Sequence, residues 1–443
     1  MKDFISRLDK YKKLILDTQD YIWANPETGY KEYKTSKYLE DVFLSLGYDL
    51  IKPDDIPGFY TVIDTGKIGP EILIFCELDA LICPTHPDAD KDTGAVHSCG
   101  HCAQCAALVG VAASLKEPGA LEGLCGKIRL CAVPAEELIE IEYRKELRNK
   151  GIIKHMGGKV EFLSRGYFDG VDLAFMIHTA SGNKCVIEKG GVGCIAKQIT
   201  YKGKSAHAGG SPWNGINALY AATQGINAVN AIRETMQEQN LIRIHPIITK
   251  GGTAVNAIPD TVTLESYVRG GSFAPMAEAN KKVNQALIGG ALSLGANIDI
   301  CDIPGYAPYE SDSDMISLAI EACKLSLGRD VEYRDRLGTG SSDMGDIACL
   351  MPIVQPAMAG ATGNGHGSDY YIADPVTACV DSAKWQLAMI HMLLSNKAER
   401  ATKIIKNYIP LFKCKEAYFS FLEKIDISGD RISYLDNQAK ITL

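Results

Sequence analysis

Short apolar runs that each lead into residues able to hold a cation constrain this chain more than any other feature. Glu71-Ile72-Leu73-Ile74-Phe75-Cys76 precedes Ser98-Cys99-Gly100-His101-Cys102, and Ile128-Arg129-Leu130-Cys131-Ala132-Val133 precedes Pro134-Ala135-Glu136-Glu137. Leu173-Ala174-Phe175-Met176-Ile177 runs directly into His178, and Gly365-His366-Gly367 lies near the C-terminal end. Runs of this length between helical patterns read as buried strands of a mainly parallel sheet. Open α/β sheets carry their chemistry outside the carboxyl ends of the strands. One crevice is therefore expected to collect these side chains.

Their types suit a metal. Cys99 and His101 flank a Gly turn, and thiolate with imidazole suits zinc and its neighbours. His178 alone would pass for a satisfied core histidine, but beside the other donors it reads as a ligand. His366 lies in the polar stretch Ala361-Thr362-Gly363-Asn364-Gly365-His366-Gly367-Ser368-Asp369-Tyr370, which reads as a site loop. Adjacent glutamates at a strand end can divide the work, one carboxylate binding metal while its neighbour acts as general base toward an activated water. His86, His97, His155, His245 and His391 lack such support, although His97 is close enough in sequence to back the ligands. Cys102 and Cys105 extend Cys99 into a Cys-x-x-Cys-x-x-Cys series. That series is either a thiol-rich metal or redox site or, at helical spacing beside Ala103, Ala106 and Ala107, plain packing.

At 443 residues the chain is long enough for two domains. Helical spacing of Phe4, Ile5, Leu8, Tyr11, Leu14, Ile15 and Ile22, and of Tyr38, Leu39, Val42, Phe43 and Leu46 with Gly47 as a stop, predicts two opening amphipathic helices. Strands predicted near 60–64, 71–76, 127–133 and 171–177 alternate with helices near 101–116 and 158–165. After Lys189-Gly190-Gly191 the pattern changes to a strand ending near 202, a helix from Trp213 to Arg233, strands near 243–249 and 261–269, a helix from Ala274 to Leu294 and a strand near 297–302. Strand, helix, strand, strand, helix, strand is the ferredoxin-like order. The α/β alternation then resumes with a helix near 313–327, strands near 331–334 and 352–356 and a helix near 375–395, and the tail after Asn396 reads as a helix. The expected fold is thus α/β, with a mainly parallel-sheet catalytic domain in two parts, residues 1–190 and 305–443, split by an inserted α+β domain over 191–304.

Hydrophobic content of 46% and charged content of 23% are those of an ordinary globular protein. A net charge of -8 without a basic stripe argues against nucleic acid as partner and leaves small molecules. No segment approaches the roughly 20 apolar residues of a membrane span. The opening Met1-Lys2-Asp3-Phe4-Ile5 lacks an apolar signal region, which predicts a cytoplasmic protein. Fourteen cysteines, in apolar contexts such as Cys76, Cys131, Cys194 and Cys349, fit buried reduced thiols.

Taken together, the ordered segments resemble the dimetal aminoacylase and carboxypeptidase-G-like amidohydrolases of metallopeptidase family M20. The resemblance is strongest to the subgroup of N-acyl-amino-acid amidohydrolases and p-aminobenzoyl-glutamate hydrolase-like proteins. It spans nearly the whole chain and is carried by Glu77-Leu78-Asp79-Ala80-Leu81, His97-Ser98-Cys99-Gly100-His101, Pro134-Ala135-Glu136-Glu137 and the stretch from Gly157-Gly158-Lys159 through Phe168-Asp169-Gly170-Val171-Asp172 to His178. It continues through Gly203-Lys204-Ser205-Ala206-His207-Ala208, Gly252-Thr253-Ala254-Val255-Asn256-Ala257-Ile258-Pro259-Asp260 and Ser341-Ser342-Asp343-Met344-Gly345-Asp346.

The resemblance implies a zinc-peptidase-like catalytic domain and an insert that serves as lid and dimerisation domain, so that the protein is a homodimer. It implies two divalent cations per subunit, zinc or manganese, bridged by Cys99 and held by His101, Glu137, His178 and His366. Glu136 would be the general base, Asp79 would orient the ligands, His207 would stabilise the oxyanion and Asn256 would bind a substrate carboxylate. Arg269, at the end of a predicted strand, is a candidate for that carboxylate or an exposed structural arginine. Cys102, Cys105, Glu77 and Leu81-Ile82-Cys83-Pro84 depart from the family pattern, the last two at what is expected to be the pocket edge. The activity implied is hydrolysis of the amide bond in a small N-acyl amino acid or dipeptide-like substrate with a free carboxylate. The alternative is a non-catalytic metal-binding or thiol-redox protein on the same scaffold.

Overall fold

The computed structural model describes residues 1–435 and 438–443. Its first sheet has the strand order Phe59–Asp64, Lys127–Val133, Glu71–Glu77, Leu173–Phe175, Ile353–Val354. The outer pair is antiparallel and every other pair parallel, the mainly parallel sheet expected from uninterrupted apolar runs. Strand Glu71–Glu77 is buried from Ile72 onward, and the helix His101–Leu115 that follows it is buried along its whole length. Both ends of that strand-to-helix connection therefore sit in the interior, and the turn before His101 is held rigidly.

A second sheet lies within residues 193–306. Strand Gly193–Lys202 is its centre, flanked antiparallel by Thr261–Gly270 and Asn297–Tyr306, with Arg243–Ile244 and Ile247–Lys250 on the far side of Thr261–Gly270. Helices Ala218–Ala231 and Phe273–Leu292 pack against each other and this sheet. A Cβ on Gly290 would collide with the backbone nitrogen of Gly225, so this pair of glycines sets how closely the two helices approach. The order is ferredoxin-like. The first helix is shorter than its apolar spacing predicts, because Pro212–Asn214 forms a separate turn and Asn217 caps the helix, its Oδ1 accepting from the amides of Leu219 and Tyr220.

A third sheet escapes the sequence reading. Its six strands include His178–Ser181, Cys185–Gly191 and Ala357–Thr362, with Tyr309–Glu310 and Val331–Leu337 beside Cys185–Gly191. Apart from Val331–Leu337, predicted near 331–334, these strands are short, mix glycine with polar residues and show no clean alternation, so periodicity does not find them. The tail also differs from the single helix expected. It forms helices Glu399–Asn407 and Lys415–Leu422 and then the paired strands Ile432–Leu435 and Gln438–Ile441. Between them the chain runs along the free edge of the second sheet, where the amides and carbonyls of Asp302 and Ile427 bond at 2.8 and 3.0 Å and the Arg431 amide donates to the Ile298 carbonyl at 2.8 Å. The tail starts against helix Ser382–Leu394 and so joins the first part of the molecule to the insert. Among the described residues no helix is long and apolar enough to cross a membrane.

Candidate metal centre

Three unusual backbone turns aim the side chains. Gly100, at φ +95°, precedes helix His101–Leu115; a Cβ there would lie 2.5 Å from the Tyr370 hydroxyl, so only glycine lets Cys99 and His101 turn toward one pocket. Ala135, at φ +57°, swings Glu136 and Glu137 off the end of strand Lys127–Val133; its amide donates to Glu32 Oε1 at 2.7 Å, and the Glu137 amide donates to Asp79 Oδ2 at 2.7 Å. His366, at φ +65°, donates its amide to the Ser98 carbonyl at 2.8 Å, which fastens the C-terminal loop to the Cys99 turn. Such residues hold sparsely populated conformations only where their surroundings enforce them.

Cys99, His101 and His178 form one three-donor group and Cys99, Glu137 and His366 a second, the donor atoms of each lying within 4.8 Å of one another. Cys99 Sγ is common to both. It stands 3.5 Å from His178 Nε2, and His366 Nε2 stands 3.2 Å from Glu137 Oε1. The Nδ1 of His101 lies 2.8 Å from the Asp79 carbonyl, which fixes the proton on that nitrogen and turns the lone pair of Nε2 toward the cluster. That buried Nε2 has no hydrogen-bond partner among the described residues. A buried polar atom without a partner is costly, and here it converges with a thiolate. Burial and the Glu137 charge oppose ionisation of Cys99, but His101 and His178 bring its thiol down to about 6. Burial likewise opposes ionisation of Glu137, and the hydrogen bond and charge of His366 bring it down to about 2. The donor set therefore fits divalent cations: soft thiolate, imidazoles and carboxylate at ligating separation.

Glu136 lies outside both Cys99 groups but forms a third group of possible donors with Glu77 and His101, facing the same space. Its Oε2 is 3.8 Å from His101 Nε2, and its backbone carbonyl accepts a hydrogen bond from the Tyr306 hydroxyl. Burial first, then the charges of Glu77, Glu137 and Asp343, push its carboxyl well above the usual carboxylate range. Two adjacent glutamates thus differ in proton affinity, the signature of one ligand and one proton carrier. Glu136, Glu137, Cys99, His178, His366 and Arg269 line one cavity of about 240 Å³, and an adjoining lobe of about 470 Å³ reaches Glu188 and Arg334. Arg269 faces the cavity with a buried Nε that has no partner among the described residues.

His207 and Asn256 do not line this cavity; both are exposed on the insert. Nδ1 of His207 accepts from the amides of Gly209 and Gly210 at 3.1 and 2.8 Å, which leaves its Nε2–H as the outward donor. Asn256 sits beside it, its carbonyl accepting from the Ala208 amide at 2.9 Å. His97 is buried and pushed down to about 3, first by burial and then by His101, and makes no ring hydrogen bond among the described residues. Cys102 and Cys105 are buried in helix His101–Leu115, outside both three-donor groups; burial pushes the Cys102 thiol up to about 12. A thiol so placed packs rather than reacts.

Glu77 is not a pocket-edge residue. It is fully buried behind His101, where Lys159 and Asp343, also fully buried, join it in an ion cluster. Sequence reasoning passed over these three as functional groups, although Gly157-Gly158-Lys159 and Ser341-Ser342-Asp343 stood out as segments. A lysine and an aspartate in otherwise apolar or small surroundings are the signal that could have found them.

An α/β scaffold that gathers side chains fit for divalent cations at its strand ends, with a ferredoxin-like unit inserted, is the architecture of a metal-dependent hydrolase. Residues 190–290 match the peptidase dimerisation domain of the M20 family. The chain is 25% identical over 439 residues to the Xaa-Arg dipeptidase of Mus musculus, covering 92% of this chain and 91% of that one. It is 29% identical over 315 residues to an N-acetyl-L-cysteine deacetylase of Bacillus subtilis, covering 66% and 68%. The fold matches that of a dinuclear metal-binding M20 peptidase from Bacillus subtilis with a TM-score of 0.63 and 21% identity, over 89% of this chain and 99% of that one. The chain carries the dimerisation domain of M20 peptidases and is a hydrolase similar to these relatives over most of its length.

Proposed function

We propose that the protein hydrolyses the amide bond of a small dipeptide or N-acyl amino acid that carries a free carboxylate. The observation that carries this reading is the pair of three-donor groups sharing Cys99, with Glu136 beside them and ligating to neither. Cys99, His101 and His178 would hold one divalent cation and Cys99, Glu137 and His366 the other, zinc or manganese. Bound there, the cations supply Lewis acidity toward the scissile carbonyl and lower the pKa of the attacking water. Glu136, with its raised proton affinity, takes the proton from that water and delivers it to the leaving nitrogen. Asp79 fixes the His101 ring through its carbonyl and the Glu137 backbone through its carboxylate.

The guanidinium of Arg269, whose Nε has no partner among the described residues, is suited to the substrate carboxylate. Relatives named for dipeptide and N-acyl amino acid substrates support the same class. Residues 1–190 and 305–443 act as the catalytic domain and 191–304 as lid and dimerisation domain, so the working unit is a homodimer. His207 and Asn256, exposed together on the insert, reach the partner's cavity, where His207 Nε2–H donates to the oxyanion and Asn256 binds the carboxylate. Fourteen free cysteines, most of them buried, fit a reducing cytoplasm. Replacing Glu136 by Gln tests the assignment: both cations should stay bound, because Glu137 is the ligand, while hydrolysis falls by at least about 100-fold. Near-normal turnover in that variant would refute it.

A further inference from the structure

We infer that Lys159 is a positioning residue for the metal centre, acting through Glu77, whose carboxylate it holds facing Nε2 of His101. The inference rests on the metal-centre reading above and adds a residue pair to it.

Lys159, near the start of helix Gly158–Ser164, is fully buried, and lysine is almost never so unless paired. Its ammonium contacts Glu77 Oε1 at 2.5 Å and also bonds Asp343 Oδ1; its backbone amide donates to Asp343 Oδ2 at 2.8 Å. Glu77 is fixed at its other oxygen too. Oε2 accepts from Gln104 Nε2 at 2.8 Å and lies 3.1 Å from His101 Nε2. With one oxygen held by Lys159 and the other by Gln104, the carboxylate cannot turn away from the ring. The Asp79 carbonyl takes the proton of the opposite nitrogen, so the Glu77 carboxylate is held facing the lone pair of His101 Nε2.

Two observations separate this arrangement from a merely structural ion pair. Buried ion clusters seldom stabilise a protein more than apolar packing of the same volume would, so stability alone does not explain one here. Glu77 also forms, with His101 and Glu136, a third group of three possible donors, so its carboxylate faces the metal centre directly. Lys159, Glu77 and Asp343 together leave one net negative charge, a favourable neighbour for a cation.

The test uses full-length, metal-stripped protein and Zn2+ alone, with affinity read by competition against a chromophoric chelator. Glu77→Gln, which keeps the shape but not the charge, and Lys159→Met should each weaken Zn2+ binding about 10- to 100-fold, the range for groups that orient metal ligands. In both, kcat should fall with KM within about threefold of wild type, since the substrate contacts are untouched. Lys197→Met is the control. Lys197 is an equally buried lysine, paired with Asp302 in the insert, and its loss should lower thermal stability without changing Zn2+ affinity. If Lys159→Met does not fold, Glu77→Gln decides alone. Wild-type Zn2+ affinity in folded Glu77→Gln would overturn the inference and leave the metal centre standing. Absence of Zn2+ binding by the wild type would overturn the metal-centre reading and this inference with it.

Discussion

Replacing Asp346 by Asn should make the protein more resistant to unfolding at alkaline pH, and the size of the gain follows from its surroundings. Asp346 is buried in helix Met344–Ala348; its Oδ1 accepts from the hydroxyl of Tyr418 on the tail helix, and its Oδ2 has no partner among the described residues. Burial pushes the carboxyl up to about 8, and the Tyr418 hydrogen bond offsets only part of this. In the unfolded chain the value is about 3.9. A folded value above the unfolded one means that the native state binds the extra proton. The resulting stability is fully present below about pH 4 and is lost as the pH rises to about 8. At about 1.4 kcal/mol per pH unit, the loss between about pH 5.5 and about pH 8 is about 3 kcal/mol. Asn keeps an oxygen for Tyr418 and cannot ionise. Urea unfolding at about pH 5.5 and about pH 8.5 should therefore show the wild type losing about 3 kcal/mol more than the variant between the two conditions. An equal pH dependence in both proteins would refute the reasoning and mean that Asp346 titrates as an exposed carboxyl.

Two further outcomes concern the site itself. Cys99→Ala should lose bound metal and activity, whereas Cys102→Ala should keep both and lose only the stability of a small buried group; metal analysis by mass spectrometry separates them, and equal loss in both would favour a thiol cluster. Mixing inactive Glu136→Gln protein with inactive His207→Ala protein under conditions that exchange subunits should restore activity, since a mixed dimer has one site with both groups intact. No recovery despite proven exchange would place His207 in its own chain's site or outside catalysis.

How much of this was legible beforehand depends on the range of the interactions. Helix Ser313–Leu327 falls where its apolar spacing predicts, because Asp312 caps it by accepting from the Met315 amide and Gly328 ends it in the left-handed region; both signals are local. Strand Lys127–Val133 is equally plain as a continuous buried run. The site donors were visible for the same reason: Glu136, Glu137 and His178 each mark the point where such a run stops. The third sheet was hidden because Cys185–Gly191 gains its order from partners as distant as Val331–Leu337. The ion cluster behind His101 was hidden more deeply, since Lys159 meets Glu77 across 82 residues and Asp343 across 184. Periodicity carries no information at that distance. His207 and Asn256 lie outside the cavity of their own chain, so the role proposed for them needs a second subunit, which one chain's periodicity cannot supply.

The account stands on two cations sharing one thiolate. Metal-stripped protein titrated with Zn2+ or Mn2+ while dipeptide and N-acyl amino acid hydrolysis is followed measures that claim directly. Activity should rise to its plateau at two equivalents per subunit, and Cys99→Ala should reach no plateau at any stoichiometry. Full activity in the stripped protein, or the same titration curve in Cys99→Ala, would contradict it.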